Sequence, residues 1–176
     1  MRRLAACEAG VVAVLLSAAA TTTACNDPVH DQQVAALGGE APGVPRGPLH
    51  RPGQPCLVCH GGQGPASAQF SLGGTVFLYP DQTDKPAVNA TVEVEDALGN
   101  FWHGTTNSAG NFYVLQSSWS PTYPLSVPLV ADQNGMPPSV MGSLDNRSGS
   151  CAECHQMTEG PTSAGPVYLY ASADGG

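Results

Sequence analysis

The chain has 176 residues, with 14 Asp and Glu against 6 Lys and Arg and a net charge of −8. That length allows one domain with one core. The charge disfavours nucleic acid and anionic membrane surfaces as partners. With Lys85 the sole lysine, it suits a basic partner protein or plain solubility equally well.

The first segment reads as an export signal, residues 1–24. Arg2 and Arg3 make a positive start, and Val11 to Ala20 form an apolar run too short for a stable membrane span. The run ends in Thr21-Thr22-Thr23-Ala24-Cys25, which resembles the lipobox of bacterial lipoproteins, although Thr22 stands where a Leu is usual. Lipidation at Cys25 would place the mature chain at a membrane, in the periplasm or on the cell surface. Ordinary cleavage after Ala24 would cut at the same bond. Lipidation is preferred because an exposed free thiol is otherwise unwelcome at a mature N-terminus. The signal segment carries Arg2, Arg3 and Glu8, a net +1, so the remainder is −9.

Asp27 then caps a short helix that starts at Pro28 and stops at Gly38. Residues 38–55 hold five Gly and five Pro, the composition of an extended tether, so residues 25–55 read as a lipid-anchored stand-off. Next comes Cys56-Leu57-Val58-Cys59-His60, followed at once by Gly61 and Gly62, which leaves room for one helical turn. Cys-x-x-Cys-His is the attachment signature of a c-type haem: two thiols become thioethers and the adjacent His meets the iron. Cys151-Ala152-Glu153-Cys154-His155 repeats it. Composition alone predicts roughly 0.006 chance occurrences of this pattern, and two are present.

Between the motifs, residues 72–131 read as β structure. Val88 to Glu95 alternates apolar and polar side chains, as a half-buried strand does. Thr75 to Tyr79, Phe101 to Thr106 and Asn111 to Gln116 are further strands, separated by turns at 96–100 and 107–110. Pro128 demotes 124–130 to an edge strand. Short strands at close spacing indicate a β-sandwich. The expected fold is mainly β: a small Ig/transthyretin-like β-sandwich over 72–131. Short, irregular haem-binding segments flank it at 56–71 and 132–176, the latter ending in a C-terminal strand.

Rival readings of the Cys pairs explain less. A zinc ribbon spaces its knuckles by about 15–20 residues, whereas residues 60–150 separate these. A thioredoxin-type pair wants a βαβ context, and a disulfide within each Cys-x-x-Cys is strained and leaves the His unexplained. With two covalently bound haem c groups the count closes. Cys7 leaves with the signal, Cys25 carries lipid, and Cys56, Cys59, Cys151 and Cys154 hold the haems.

Gly74-Thr75-Val76, Pro86 to Val94, Gly99-Asn100 and Thr105 to Phe112 resemble a carboxypeptidase-regulatory-type domain, a small transthyretin-like sandwich common in exported bacterial proteins. That family implies a structural module without catalytic residues. The whole chain resembles dihaem cytochrome c lipoproteins with such a domain between the two motifs.

His60 and His155 are then the proximal iron ligands, and the sixth position decides function. His50, on the stretch before Cys56, can fold back over a haem, although an exposed loop His beside Arg51 reads equally well. His103 lies on a strand and turns inward if Phe101 does, with Trp102 then pointing out. His30 reads as a surface residue of the first helical turn. Met141 could serve the second iron, with Met136 a further candidate. Met157 is too close to His155 to reach the far face of the same haem. His50 and His103 are the expected pair, giving bis-His coordination and a lower potential than His/Met.

Two six-coordinate haems make an electron carrier: a dihaem cytochrome passing single electrons in the cell envelope. The alternative is a haem peroxidase or small-molecule reductase with one open iron. A third reading makes the sandwich the working part, a binding module of a multihaem conduit or filament. In that case Trp102 or Trp119 would mark a docking surface, against the simpler reading of a packed aromatic.

Overall fold

In the computed structural model, which describes residues 27–40, 42–133 and 139–171, α1 spans Pro28–Ala36 and α2 Cys56–His60. The strands follow as β1 (Phe70–Phe77), β2 (Thr91–Glu95), β3 (Phe101–Thr105), β4 (Asn111–Leu115) and β5 (Ser126–Ala131). The chain then forms α3 (Cys151–Cys154) and β6 (Val167–Tyr168). The signal segment, Cys25 and Met136 lie outside the described residues. Among the described residues no helix is long and apolar enough to cross a membrane.

The strands make two three-stranded sheets, β4-β1-β6 and β3-β2-β5, so the fold is mainly β. Leu72 and Val76 of β1 and Phe112 and Val114 of β4 meet Val92 and Val94 of β2 and Val130 of β5 in one shared core. Alternation holds on β2, where Val92 and Val94 are buried and Thr91, Glu93 and Glu95 are not. It does not extend back to Val88, which is half exposed. Asn89 adopts φ +56°, a left-handed turn that breaks the strand before Ala90. On β3 the phase is opposite to the inward-Phe101 alternative: Trp102 packs against the core and stacks on Phe112, while Phe101 and His103 face out. The indole buries more apolar area than either neighbour, and in an alternating strand one such choice decides all the others. β5 is an edge strand, as Pro128 requires.

β1 starts at Phe70, earlier than the sequence predicts. It is the centre of its sheet and is buried continuously from Leu72 to Phe77. A strand covered on both faces has no alternation to read, and Gly73-Gly74 lowers its propensity further.

Of the 38–55 stretch, expected as a stand-off tether, residues 48–53 are fastened to the body. Asn111 Nδ2 donates to the carbonyls of Pro48 (3.3 Å) and His50 (3.0 Å), and Asn107 Nδ2 donates to Pro48 O (2.7 Å). The Gly53 amide donates to Thr75 Oγ1 at 2.8 Å. Arg51 clamps the end of α1, donating to the carbonyls of Leu37 (3.1 Å) and Gly38 (2.7 Å) and pairing with Glu40 at 3.2 Å. A helix of 9 residues is marginal by itself. Here Asp27 Oδ1 caps one end by accepting from the amides of Val29 and His30, and Arg51 holds the other.

Asp96 closes the β2–β3 turn. Its Oδ1 accepts from the amides of Leu98 and Asn100, both at 2.9 Å, and its Oδ2 from that of Thr122 at 3.2 Å. Burial would raise this carboxyl's pKa. The donors from Asn100, Thr122 and Leu98 outweigh it and hold the group below the usual carboxylate range. A carboxyl depressed in the folded state stabilises the fold above its unfolded pKa of about 3.9, and that contribution is lost as pH falls through the folded value. Asp96→Asn should therefore lower the urea midpoint at neutral pH. The gap to wild type should close as pH drops below about 4; a gap of constant size down to pH 2 would contradict this account.

Candidate functional site

Both Cys-x-x-Cys-His motifs fold in the same way. Each is a single helical turn, α2 capped by Gly61 N–H on Leu57 O (2.7 Å) and α3 closed by His155 N–H on Cys151 O (2.8 Å). After each turn the chain doubles back. Ala66 N–H donates to Cys59 O (3.1 Å) and Ala164 N–H donates to Cys154 O (2.9 Å). The returning loop then reaches the histidine: His60 Nδ1 lies 2.8 Å from Ala68 O, and His155 Nδ1 lies 3.0 Å from Gly165 O. A carbonyl oxygen only accepts, so Nδ1 carries the proton and Nε2 keeps its lone pair. That is the tautomer an imidazole needs to bind a metal through Nε2, with the partner carbonyl fixing the ring.

Both motifs dock on one strand. α2 and α3 pack on β1 at neighbouring residues. A Cβ on Gly73 would lie 3.1 Å from Cys56 Cβ and 3.2 Å from its Sγ. A Cβ on Gly74 would lie 2.9 Å from Cys151 Cβ and 3.0 Å from the Phe112 ring. Successive side chains of a strand point to opposite faces, so the two cysteines approach β1 from opposite sides, each through a space that only glycine leaves. Gly73 N–H also donates to Gly149 O at 3.0 Å, tying the start of α3 to the strand. Burial pushes the Cys56 thiol up to about 11 and the Cys151 thiol to about 12, the latter with a further contribution from Cys56.

A cavity of about 750 Å³ opens beside the first motif, within the ~300–1,000 Å³ range of cofactor sites. Cys56, Cys59, His60, His50, Phe70 and Tyr113 are part of its wall, as are Arg46 and Arg51. Those two arginines are half of the four Lys and Arg found after the signal segment. The His60 ring stacks on Phe70 at 4.1 Å with an interplanar angle of 1°, and Phe70 stacks on Tyr113 at 4.6 Å. His50 stands 5.9 Å from His60, ring centre to ring centre. Its Nδ1 accepts from the Gly47 amide at 3.2 Å, so ligation through Nε2 would require that bond to give way. At the second motif Cys154 is exposed and His155 half-buried.

The remaining candidates lie elsewhere. His103 faces outward on β3, with Nδ1 2.9 Å from Glu93 Oε2, whereas both motif helices sit on β1. Met141 is held by its amide on Val127 O of β5 (3.1 Å). Met157 rests against Gly53, where its Sδ would meet an added Cβ. Trp119, like Trp102, packs against the core. Cys25 lies outside the described residues.

Haem fits these residues on three counts. The cysteines are free thiols, each histidine presents Nε2, and unpartnered buried polar atoms lie around the motifs. These atoms, among the described residues, are His30 Nε2 on α1, Glu40 Oε2 in the cavity wall and Ser150 Oγ at the start of α3. Structural zinc wants four convergent donors, and among the described residues no three His, Cys, Asp or Glu side chains converge on one point. Sequence reading missed the Gly73-Gly74 pair, although adjacent glycines in an apolar strand signal a close approach. It also missed the carbonyls of Ala68 and Gly165, which as backbone atoms leave no mark in the sequence.

No family model matches this chain, and neither does any curated protein or solved structure. Its reading therefore rests on its own residues.

Gly74→Ala should overpack the site where Cys151 and Phe112 meet and cost about 1–3 kcal/mol. Gly142→Ala, where an added Cβ meets nothing within 4 Å and φ is not positive, is the control and should cost far less. Thermal unfolding of the two variants checks the prediction, and equal losses would refute the close-approach account.

Proposed function

We propose that this chain is a dihaem c-type cytochrome that passes single electrons in the bacterial cell envelope. The observation that carries the reading is the matched pair of Nδ1–carbonyl bonds, which leaves His60 Nε2 and His155 Nε2 as free donors inside the two Cys-x-x-Cys-His turns. The haem would supply an iron that alternates between two oxidation states. Cys56 and Cys59 would hold one haem as thioethers and Cys151 and Cys154 the other. His60 and His155 would orient and ligate the irons, each kept in its tautomer by the loop behind it. Arg46 would face the carboxylates of the first haem, where its charge is complementary, while Arg51 is committed to Glu40 and the end of α1.

His50 is the proposed second ligand at the first iron, supported by its 5.9 Å approach to His60. Attachment of both helices to one strand supports transfer between the haems within a single chain. Export and lipid anchoring at Cys25 belong to the same proposal, as does a basic redox partner suited to an acidic surface. The sandwich, with its resemblance to carboxypeptidase-regulatory domains, would be the frame that holds the haems.

Protein purified from a host able to attach c-type haem should carry two haems per chain by pyridine haemochrome assay. Cys56→Ser/Cys59→Ser and Cys151→Ser/Cys154→Ser should each leave one. The ferric spectrum should be low-spin and slow to bind cyanide. Colourless, zinc-loaded protein would overturn the cytochrome reading; two high-spin haems that turn over peroxide would overturn the carrier reading in favour of an enzyme.

A further inference from the structure

His50 meets the first cavity from a stretch that is neither helix nor strand. A side chain on such a stretch stays in place only if the backbone under it is held. Here two side chains of the sandwich hold it. Asn111 Nδ2 donates to His50 O at 3.0 Å and to Pro48 O at 3.3 Å. Asn111 Oδ1 accepts from Thr75 Oγ1 at 2.7 Å, and that hydroxyl oxygen accepts from Gly53 N–H at 2.8 Å. The stretch is thus gripped before His50, at His50 and after it.

The two gripping residues are themselves fixed. Thr75 and Asn111 are partners in the register of β1 with β4, and both are buried. Their bonds use both amide protons of Asn111 and the one hydroxyl proton of Thr75, so every side-chain donor of the pair is spent. A buried polar pair satisfied in this way is rigid, and removing one member leaves the other's partners unpaired. Asn111 is also part of the cavity wall, so the grip is applied at the site itself. All the bonds to the stretch end on its backbone atoms. They leave the His50 ring to turn about its own side-chain bonds, away from Gly47 N–H, while its backbone stays in place.

We propose that Asn111 and Thr75 are positioning residues for His50, holding its backbone so that the ring keeps the sixth position of the first iron closed. The proposal rests on the reading of His50 as that iron's second ligand. Neither residue meets the iron; both act through His50.

The test uses holoprotein in the Cys151→Ser/Cys154→Ser background, with covalent haem counted first. That count judges the cytochrome reading. His50→Ala, which should turn the remaining haem high-spin by paramagnetic resonance, judges the ligand reading. The proposal itself is read from variants that keep His50. Asn111→Ala should retain the haem, populate a high-spin form that added imidazole reverses, and bind cyanide about tenfold faster, the factor that one net hydrogen bond is worth. Thr75→Val should shift both readouts in the same direction, and Thr75→Ser, which keeps the hydroxyl, should match the parent. Asp96→Asn, in a turn of the other sheet, should lower the melting temperature without moving spin state or cyanide rate, which separates positioning from lost stability. Parent spin state and cyanide rate in either Asn111→Ala or Thr75→Val would overturn the proposal, as would an Asp96→Asn shift as large as that of Asn111→Ala. A haem that stays low-spin in His50→Ala would overturn it together with the His50 assignment.

Discussion

The absence of two side chains, at Gly73 and Gly74, governs how the rest of this molecule is arranged. A strand presents successive positions to opposite faces. Two adjacent glycines therefore open β1 on both sides at one level, and Cys56 and Cys151 occupy the two openings. The docking of α2 and α3, the desolvation of their leading thiols and the nearness of the two motifs all follow from that contact. A Cβ at either position would crowd the leading cysteine of a motif, 3.1 Å from Cys56 Cβ at Gly73 and 2.9 Å from Cys151 Cβ at Gly74.

The second constraint acts on the histidines. Each motif is one turn of helix, too short to hold a ring in place. Orientation comes instead from a loop that folds back and offers a carbonyl, that of Ala68 or of Gly165. The loops differ in length and sequence but end in the same bond. Gly165 adopts φ +76°, a conformation that suits glycine, to present its oxygen. The two sheets thus form a base to which both motif segments are fastened.

Much of this was legible in the sequence. The cap at Asp27, the one-turn motifs, the strand at Thr91–Glu95 and the edge strand carrying Pro128 all have local causes, so local reading finds them. Reading failed where distant residues decide. Val88 falls outside β2 because Asn89 turns left-handed. The phase of β3 follows Trp102, which has the most apolar surface to bury against Phe112. The 38–55 stretch looks like a free linker by composition, yet it is fastened by Asn107, Asn111 and Thr75, side chains far along the chain. His30 looks like a surface residue until the packing of α1 on α2 buries its Nε2.

By itself, then, the sequence determined the two Cys-x-x-Cys-His spacings and most of the stretches that are strand or turn. Spacing within five residues and periodicity within eight are properties of the chain alone. Tertiary structure alone decided which of those residues meet. The meeting of Cys56 and Cys151 across one strand, of His50 and His60 over one cavity, and of α1 with α2 depends on contacts between segments far apart in sequence. Such contacts are set by how the whole core closes, and no local pattern records them.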